Sequence, residues 1–182
     1  AVNRSVLNLF SYTGGFSVYA ARAGAKRVTS VDISKGAMKR AVENFELNGL
    51  PAKAHEFVTA DCYEYLKQLS FGPERRRAFE LVICDPPSLA RNRHQVHGAV
   101  RAYQKLNALA LGAVAEHGWY AAASCTSQIS PESFREILAQ AARAAGRRGR
   151  GVFVNFPSGR SLPLHCHPGL GVGVVMRRPL VP

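Results

Sequence analysis

Two short stretches carry the groups with the most chemistry. Asp85-Pro86-Pro87-Ser88 follows the apolar run Glu80 to Cys84, and Cys125 sits in Ala121-Ala122-Ala123-Ser124-Cys125-Thr126-Ser127. A proline pair locks its loop, so a flat base can rest there at low entropic cost. A simple loop terminator accounts for Pro86 and Pro87 but not for Asp85. A free cysteine is often just a small buried hydrophobe. At the ligand end of a sheet, however, a thiol is placed to act as a nucleophile on a ring carbon.

Three further loops complete the set. Tyr12-Thr13-Gly14-Gly15-Phe16 lies between a strand-like run and a small-residue helix. Its glycines let backbone approach a ligand, and the helix start behind it suits a carboxylate or phosphate. Asp32 ends the second hydrophobic run, where a carboxylate can accept bonds from two ribose hydroxyls, although it can also merely cap the next helix. Asp61-Cys62 follows the third run. Asp61 can take an adenine amino group or serve as a helix N-cap, and Cys62 can line the ring. A nicotinamide dinucleotide and S-adenosylmethionine both fit these three loops. The missing G-x-G-x-x-G and the Asp85 loop argue against the first. With a sulfonium as methyl donor, Cys125 gains a purpose. A thiolate adding to carbon 6 of a pyrimidine makes carbon 5 enamine-like and able to accept a methyl group.

These loops need elements to hold them. Ser5 to Phe10, Arg27 to Asp32, His55 to Val58, Glu80 to Cys84 and Trp119 to Ser124 read as strands. Helices alternate with them. The first spans Gly15 to Ala23. The second opens at the N-cap Ser34, carries Met38, Ala41, Val42 and Phe45 on one face, and stops at Asn48-Gly49. The third follows Cys62 to about Leu69, and Phe71 to Arg77 is a polar turn. The fourth buries Leu106, Leu109, Ala110, Ala113 and Val114, with Gly118 closing it. The fifth opens at Ser130-Pro131 and buries Phe134, Ile137, Leu138 and Ala141, with Gly146 as C-cap. Strand–helix alternation of this length predicts an α/β, doubly wound, Rossmann-like fold with a mostly parallel sheet. Ligands on such sheets bind at the carboxyl ends of the strands, where all five loops lie.

The chain has 182 residues, enough for one domain with a full core. Its net charge of +12 favours polyanionic partners. The basic loop with Arg91, Arg93 and His94, and Arg101 just after it, precedes the fourth helix and would face incoming RNA. Arg143, Arg147, Arg148 and Arg150 read as a solvated helix end. No apolar run is long enough to span a bilayer. Cys62, Cys84, Cys125 and Cys166 fit no CxxC zinc pattern, so reduced thiols in a cytoplasmic enzyme are expected, with no metal.

The segments NLFSYTGGFSVYAARAGAKRVTSVDISKGAMKRAVENFELNGL, DPPSLAR, Tyr103-x-x-Leu106-Asn107 and SCTS occur in order over about Val6 to Leu138. Together they resemble the RlmI-type methyltransferases, S-adenosylmethionine-dependent enzymes of the class I fold that methylate carbon 5 of a cytosine in large-subunit ribosomal RNA. The resemblance implies that Thr13, Gly14, Gly15 and Phe16, with Tyr12, line the methionine end of the cofactor. Asp32 holds the ribose, Ile33 lies under the adenine, Asp61 and Cys62 flank its edge, and Ser34 is a further cofactor-binding residue. Asp85 and Pro86 border both ligands, Asp85 contacting the cytosine and helping to protonate it, and Cys125 is the nucleophile. Pro87, Arg91, Arg93 and Arg101 are the expected RNA contacts, and a homodimer is left open. Residues 1–182 are read as one methyltransferase domain without the N-terminal PUA-type RNA-binding domain of the family and with an atypical tail from 156 to 182, in which the resemblance implies a C-terminal antiparallel strand, Gly171 to Met176. A guanine or small-molecule acceptor, or a non-catalytic fragment that binds cofactor or RNA, stays as the alternative.

Overall fold

The computed structural model describes residues 1–71, 79–90, 92–126 and 128–147, and the backbone of residues 150–155 and 172–177. The polar turn to Arg77, Arg91, Ser127, Arg148 and most of the tail, including Cys166, lie outside the described residues.

Five parallel strands form the body of the sheet: β1 (Ser5–Leu9), β2 (Arg27–Asp32), β3 (Glu56–Thr59), β4 (Phe79–Cys84) and β5 (Val114–Ser124). Their spatial order is β3-β2-β1-β4-β5. The order reverses between β1 and β4, which opens a crevice at the carboxyl ends of these two strands. Beyond β5, the backbone of β6 (Arg150–Asn155) and β7 (Val172–Arg177) continues the sheet, with β7 antiparallel to both β5 and β6. Val6, Leu7 and Leu9 of β1 are buried, as expected for a central strand covered on both faces.

The helices are α1 (Gly15–Arg22), α2 (Lys35–Leu47), α3 (Cys62–Phe71), α4 (Val96–Gly112) and α5 (Pro131–Ala144). The Ser34 side chain accepts a bond from the Ala37 amide at 3.2 Å, and Ser130 does the same for Ser133. Both are N-caps that satisfy an otherwise orphaned amide. Between sheet and helices the largest fully buried side chains are Tyr103, Tyr120, Phe45 and Phe134.

Two sequence expectations fail around α4. Arg101 lies inside this helix, not before it. A 3₁₀ turn at Arg93–Gln95 starts the coil early, and Val96 continues it. At the other end the helix stops at Gly112, and Val114 already belongs to β5. Gly118 therefore closes no helix. It follows His117, whose φ is +61°, at a bulge in β5 where Val114 pairs with Phe79 but Trp119 pairs with Leu81. A Cβ on Gly118 would lie 2.8 Å from Val114 Cγ1 and 3.0 Å from the Glu80 carbonyl. The glycine is there because two backbones meet.

Candidate active site

The cofactor side is built on β1, β2 and β3. Phe10 and Tyr12 both adopt left-handed backbone, with φ of +55° and +47°. This is costly for bulky residues and points to a site that needs it. The bend aims the Tyr12 amide at Asp32 Oδ2, 2.9 Å away, while the Ser34 amide donates to Asp32 Oδ1 at 2.9 Å. A carboxylate oxygen can accept two bonds. Each oxygen of Asp32 therefore keeps capacity for one hydroxyl of a diol. The apolar side chains beside it are open to solvent, Tyr12 by 64% and Ile33 by 71%. Exposed aromatic and aliphatic groups flanking an anchored carboxylate suit a nucleoside.

Gly14 has two reasons to be glycine. Its φ is +81°, and a Cβ there would come within 3.0 Å of Ala41 Cβ on α2. Its amide bonds the Ser11 carbonyl, and Asn44 of α2 donates to the Thr13 carbonyl at 2.8 Å. Beneath the turn, Asn8 donates to Ser17 and Ser17 shares a hydrogen bond with Ser30, joining β1, α1 and β2. Asn8 Oδ1 and Ser11 Oγ are buried without a hydrogen-bond partner among the described residues. Unsatisfied oxygens under a glycine turn fit a ligand that brings its own donors, as an amino-acid moiety does.

Asp61 is exposed, and its Oδ1 accepts from the amides of Tyr63 and Glu64 at 2.9 and 3.0 Å. It caps α3, the second of the two roles its sequence allowed. Cys62 does not present its thiol to solvent. It is 2% exposed, accepts from the Phe10 amide and donates to the Val31 carbonyl, and burial pushes its pKa up to about 12. The side chain is a pin between β1, β2 and α3, which a sequence position one residue after a strand-end Asp does not reveal.

The acceptor side is built on β4 and β5. Asp85 and Cys125 come together across these strand ends, with Cys125 Sγ 3.6 Å from Asp85 Oδ1. Cys125 is exposed, whereas Cys62 and Cys84 are buried. Burial raises the pKa of Asp85, partly offset by the bond from Cys125. Burial of Cys84 also pushes its thiol up, leaving it protonated at neutral pH. Pro86 is buried and Pro87 exposed. Thr126 Oγ1 and Ser88 Oγ both donate to the Ala90 carbonyl, at 2.8 and 2.9 Å, which stitches the loop carrying Cys125 to the loop carrying Asp85.

A buried polar network supports this pair, and the sequence did not reveal it. Tyr103 of α4 takes a hydrogen bond from Ser124 Oγ at 3.2 Å and another from the Leu89 backbone. Tyr120 of β5 donates to Asn107 Oδ1 at 2.5 Å, and Asn107 donates to the Tyr103 carbonyl. Tyr120 also lies beside the thiol of Cys84, the residue before Asp85. The signal was the pair Tyr103 and Asn107, i and i+4 on a helix face that is otherwise apolar.

Arg93, in the 3₁₀ turn before α4, and Arg101, in α4, are exposed. Among the described residues no three His, Cys, Asp or Glu groups are grouped to hold a metal ion. No described helix is long and apolar enough to cross a membrane.

A switch-point crevice, a glycine turn and a strand-end carboxylate on a Rossmann-like sheet fit a nucleoside cofactor. The family model for S-adenosylmethionine-dependent methyltransferases matches residues 1–147, and the chain belongs to that family. Its cofactor is S-adenosylmethionine. The chain is 44% identical over 162 residues to the ribosomal RNA large subunit methyltransferase of Deinococcus radiodurans, covering 89% of this chain and 38% of that protein. It is 39% identical over 144 residues to ribosomal RNA large subunit methyltransferase I of Aeromonas salmonicida, covering 79% of this chain and 36% of the relative. Among solved structures, a Streptococcus mutans protein described as a SAM-dependent methyltransferase superposes with a TM-score of 0.77 at 26% identity, over 97% of this chain and 45% of that one. Another similar structure, a methyltransferase complexed with SAH, gives 0.75 at 28% identity, over 97% and 46%.

Proposed function

We propose that the chain transfers a methyl group to carbon 5 of a cytosine in large-subunit ribosomal RNA through a transient cysteine adduct. The observation that carries this reading is the 3.6 Å contact between Asp85 and the exposed thiol of Cys125, at the carboxyl ends of neighbouring strands. Asp32 holds the ribose hydroxyls of the cofactor, Ile33 and Tyr12 its adenosine, and the turn from Thr13 to Phe16 its methionine end. Bound there, S-adenosylmethionine supplies an electrophilic methyl group on sulfur.

Residues of the chain prepare the acceptor. Asp85, whose raised pKa keeps its proton to higher pH, donates to N3 of the cytosine. Cys125 passes its thiol proton to the Asp85 carboxylate left by that donation, and the thiolate adds to carbon 6 as electron density moves to carbon 5, which takes the methyl group. A base removes the carbon-5 proton, the thiolate leaves, and aromaticity returns. The target must be unstacked, because a stacked base cannot enter the cleft. The names of the relatives support ribosomal RNA as substrate, and the +12 net charge suits it.

The test is methyl transfer from labelled cofactor to large-subunit RNA by wild type and Cys125→Ser, with the methylated nucleoside identified by mass. 5-Methylcytidine that disappears in the variant supports the reading. A methyl group on a nitrogen, retained in the variant, contradicts it, because nitrogen methylation needs no thiolate.

A further inference from the structure

The inner face of α4 buries Ala99, Tyr103, Leu106 and Ala110. Its outer face carries His97, Arg101 and Lys105, all exposed and spaced four residues apart. Each step is a rise of about 6 Å, comparable to the advance between phosphates of an extended strand. Arg93, exposed in the preceding 3₁₀ turn, extends the row toward the Asp85 loop. Helix α4 contains no Asp or Glu, and among the described residues no carboxylate forms an ion pair with any of these four. Lys105 Nζ lies 5.6 Å from the centroid of the Tyr63 ring on α3. That ring also takes Lys67, at 6.0 Å, but Lys67 is neutralised by Glu64 at 2.7 Å.

Like charges at i and i+4 destabilise a helix. Arg101 and Lys105 therefore cost the isolated fold something, and Tyr63 anchors the second of them by a cation–π contact. A polyanion would turn that cost into affinity. A membrane surface is a poorer match. Among the described residues the large exposed apolar side chains are Val2, Tyr12, Phe16, Tyr19, Ile33 and Leu47, none on α4.

We propose that Arg93, His97, Arg101 and Lys105 form a track for the phosphodiester backbone of the RNA strand next to the target nucleotide, with Tyr63 fixing its far end. The inference rests on the RNA reading above and adds the direction of the strand: along α4, away from the Asp85–Cys125 cleft.

The experiment is fluorescence anisotropy with a short single-stranded RNA of mixed sequence, over a range of salt. It compares the wild-type chain, Arg101→Ala/Lys105→Ala, and a control of equal charge loss on the exposed side of α2, Lys39→Ala/Arg40→Ala. The track variant is expected to bind about tenfold more weakly, with the salt slope reduced by about 1.4. The control should change affinity by less than about twofold. No binding by the wild type, no loss in the track variant, or equal losses in both variants would overturn the track. S-Adenosylmethionine titration of each variant checks that the cofactor side is intact. A chain that binds RNA along the track but makes no 5-methylcytidine would contradict the proposed reaction and leave the track standing.

Discussion

The two sides of the cleft hold their carboxylates in opposite ways. Asp32 is gripped by backbone amides, one on each oxygen, and sits among exposed side chains. Asp85 is raised in pKa by burial, and a thiol donates to it. The first arrangement fixes a carboxylate in place, as the proposed contact with ribose hydroxyls requires. The second leaves a carboxyl group free to hold or release a proton as its neighbour changes charge. Rigid recognition is built from main chain on one side, and adjustable chemistry from side chains on the other.

Substitutions should separate the two sides. The largest expected effect is Cys125→Ser, which should lower methyl transfer to cytosine by at least about a thousandfold and leave cofactor affinity within about twofold. Single-turnover assays and calorimetric titration read the two quantities.

Asp85→Asn should lower transfer by about a hundredfold, in the range of a lost general acid. It also tests the buried carboxyl by pH. A raised folded pKa means that the folded chain binds the extra proton. Wild-type stability is then greatest below the unfolded Asp value and falls as pH rises through the folded one. The asparagine variant lacks this loss, so its thermal midpoint relative to wild type should climb over that window. A constant difference across pH would contradict the assignment.

Asp32→Ala should act in the other half. Loss of charged hydrogen bonds to a diol predicts cofactor binding weaker by about 10- to 100-fold, seen by calorimetry. Cys125 reactivity toward a small thiol reagent should stay unchanged.

The smallest effect belongs to the support beneath Asp85 and Cys125. Tyr103→Phe leaves Ser124 and the Leu89 backbone without their shared partner. It should cost about 1 kcal/mol in denaturant unfolding. It should slow transfer severalfold without changing cofactor affinity, since no part of the Asp32 side depends on it.

Much of the fold was legible because strands end in polar punctuation. Asp32, Asp61 and Asp85 each follow a hydrophobic run, and N-caps Ser34 and Ser130 announce their helices. The error at the end of α4 has a physical origin. Ala113 and Val114 continue the apolar spacing of Leu106, Leu109 and Ala110, so helix and strand periods overlap there. Hydrogen bonds decide it: the Ala113 amide turns back to the Ala110 carbonyl at 3.1 Å, and the Arg147 guanidinium Nε donates to the Leu111 carbonyl at 3.2 Å. The bulge at Gly118 depends on the approach of β4 and leaves only a glycine in the sequence. Of the site, the strand-end positions could be read. The inward turn of Cys62 and the partnership of Tyr103, Asn107 and Tyr120 could not. They depend on which face of a helix meets the sheet, and a tyrosine in a buried stripe looks like any other apolar residue.

The most direct test of the central claim is covalent capture on RNA containing 5-fluorocytidine. Fluorine at carbon 5 cannot leave as a proton does, so an adduct at carbon 6 is trapped after methyl transfer. The account predicts a denaturation-resistant protein–RNA species that carries one methyl group, requires S-adenosylmethionine, and maps to Cys125. Turnover of the unmodified RNA to a methylated product, with no such species on the fluorinated one, would contradict the cysteine adduct.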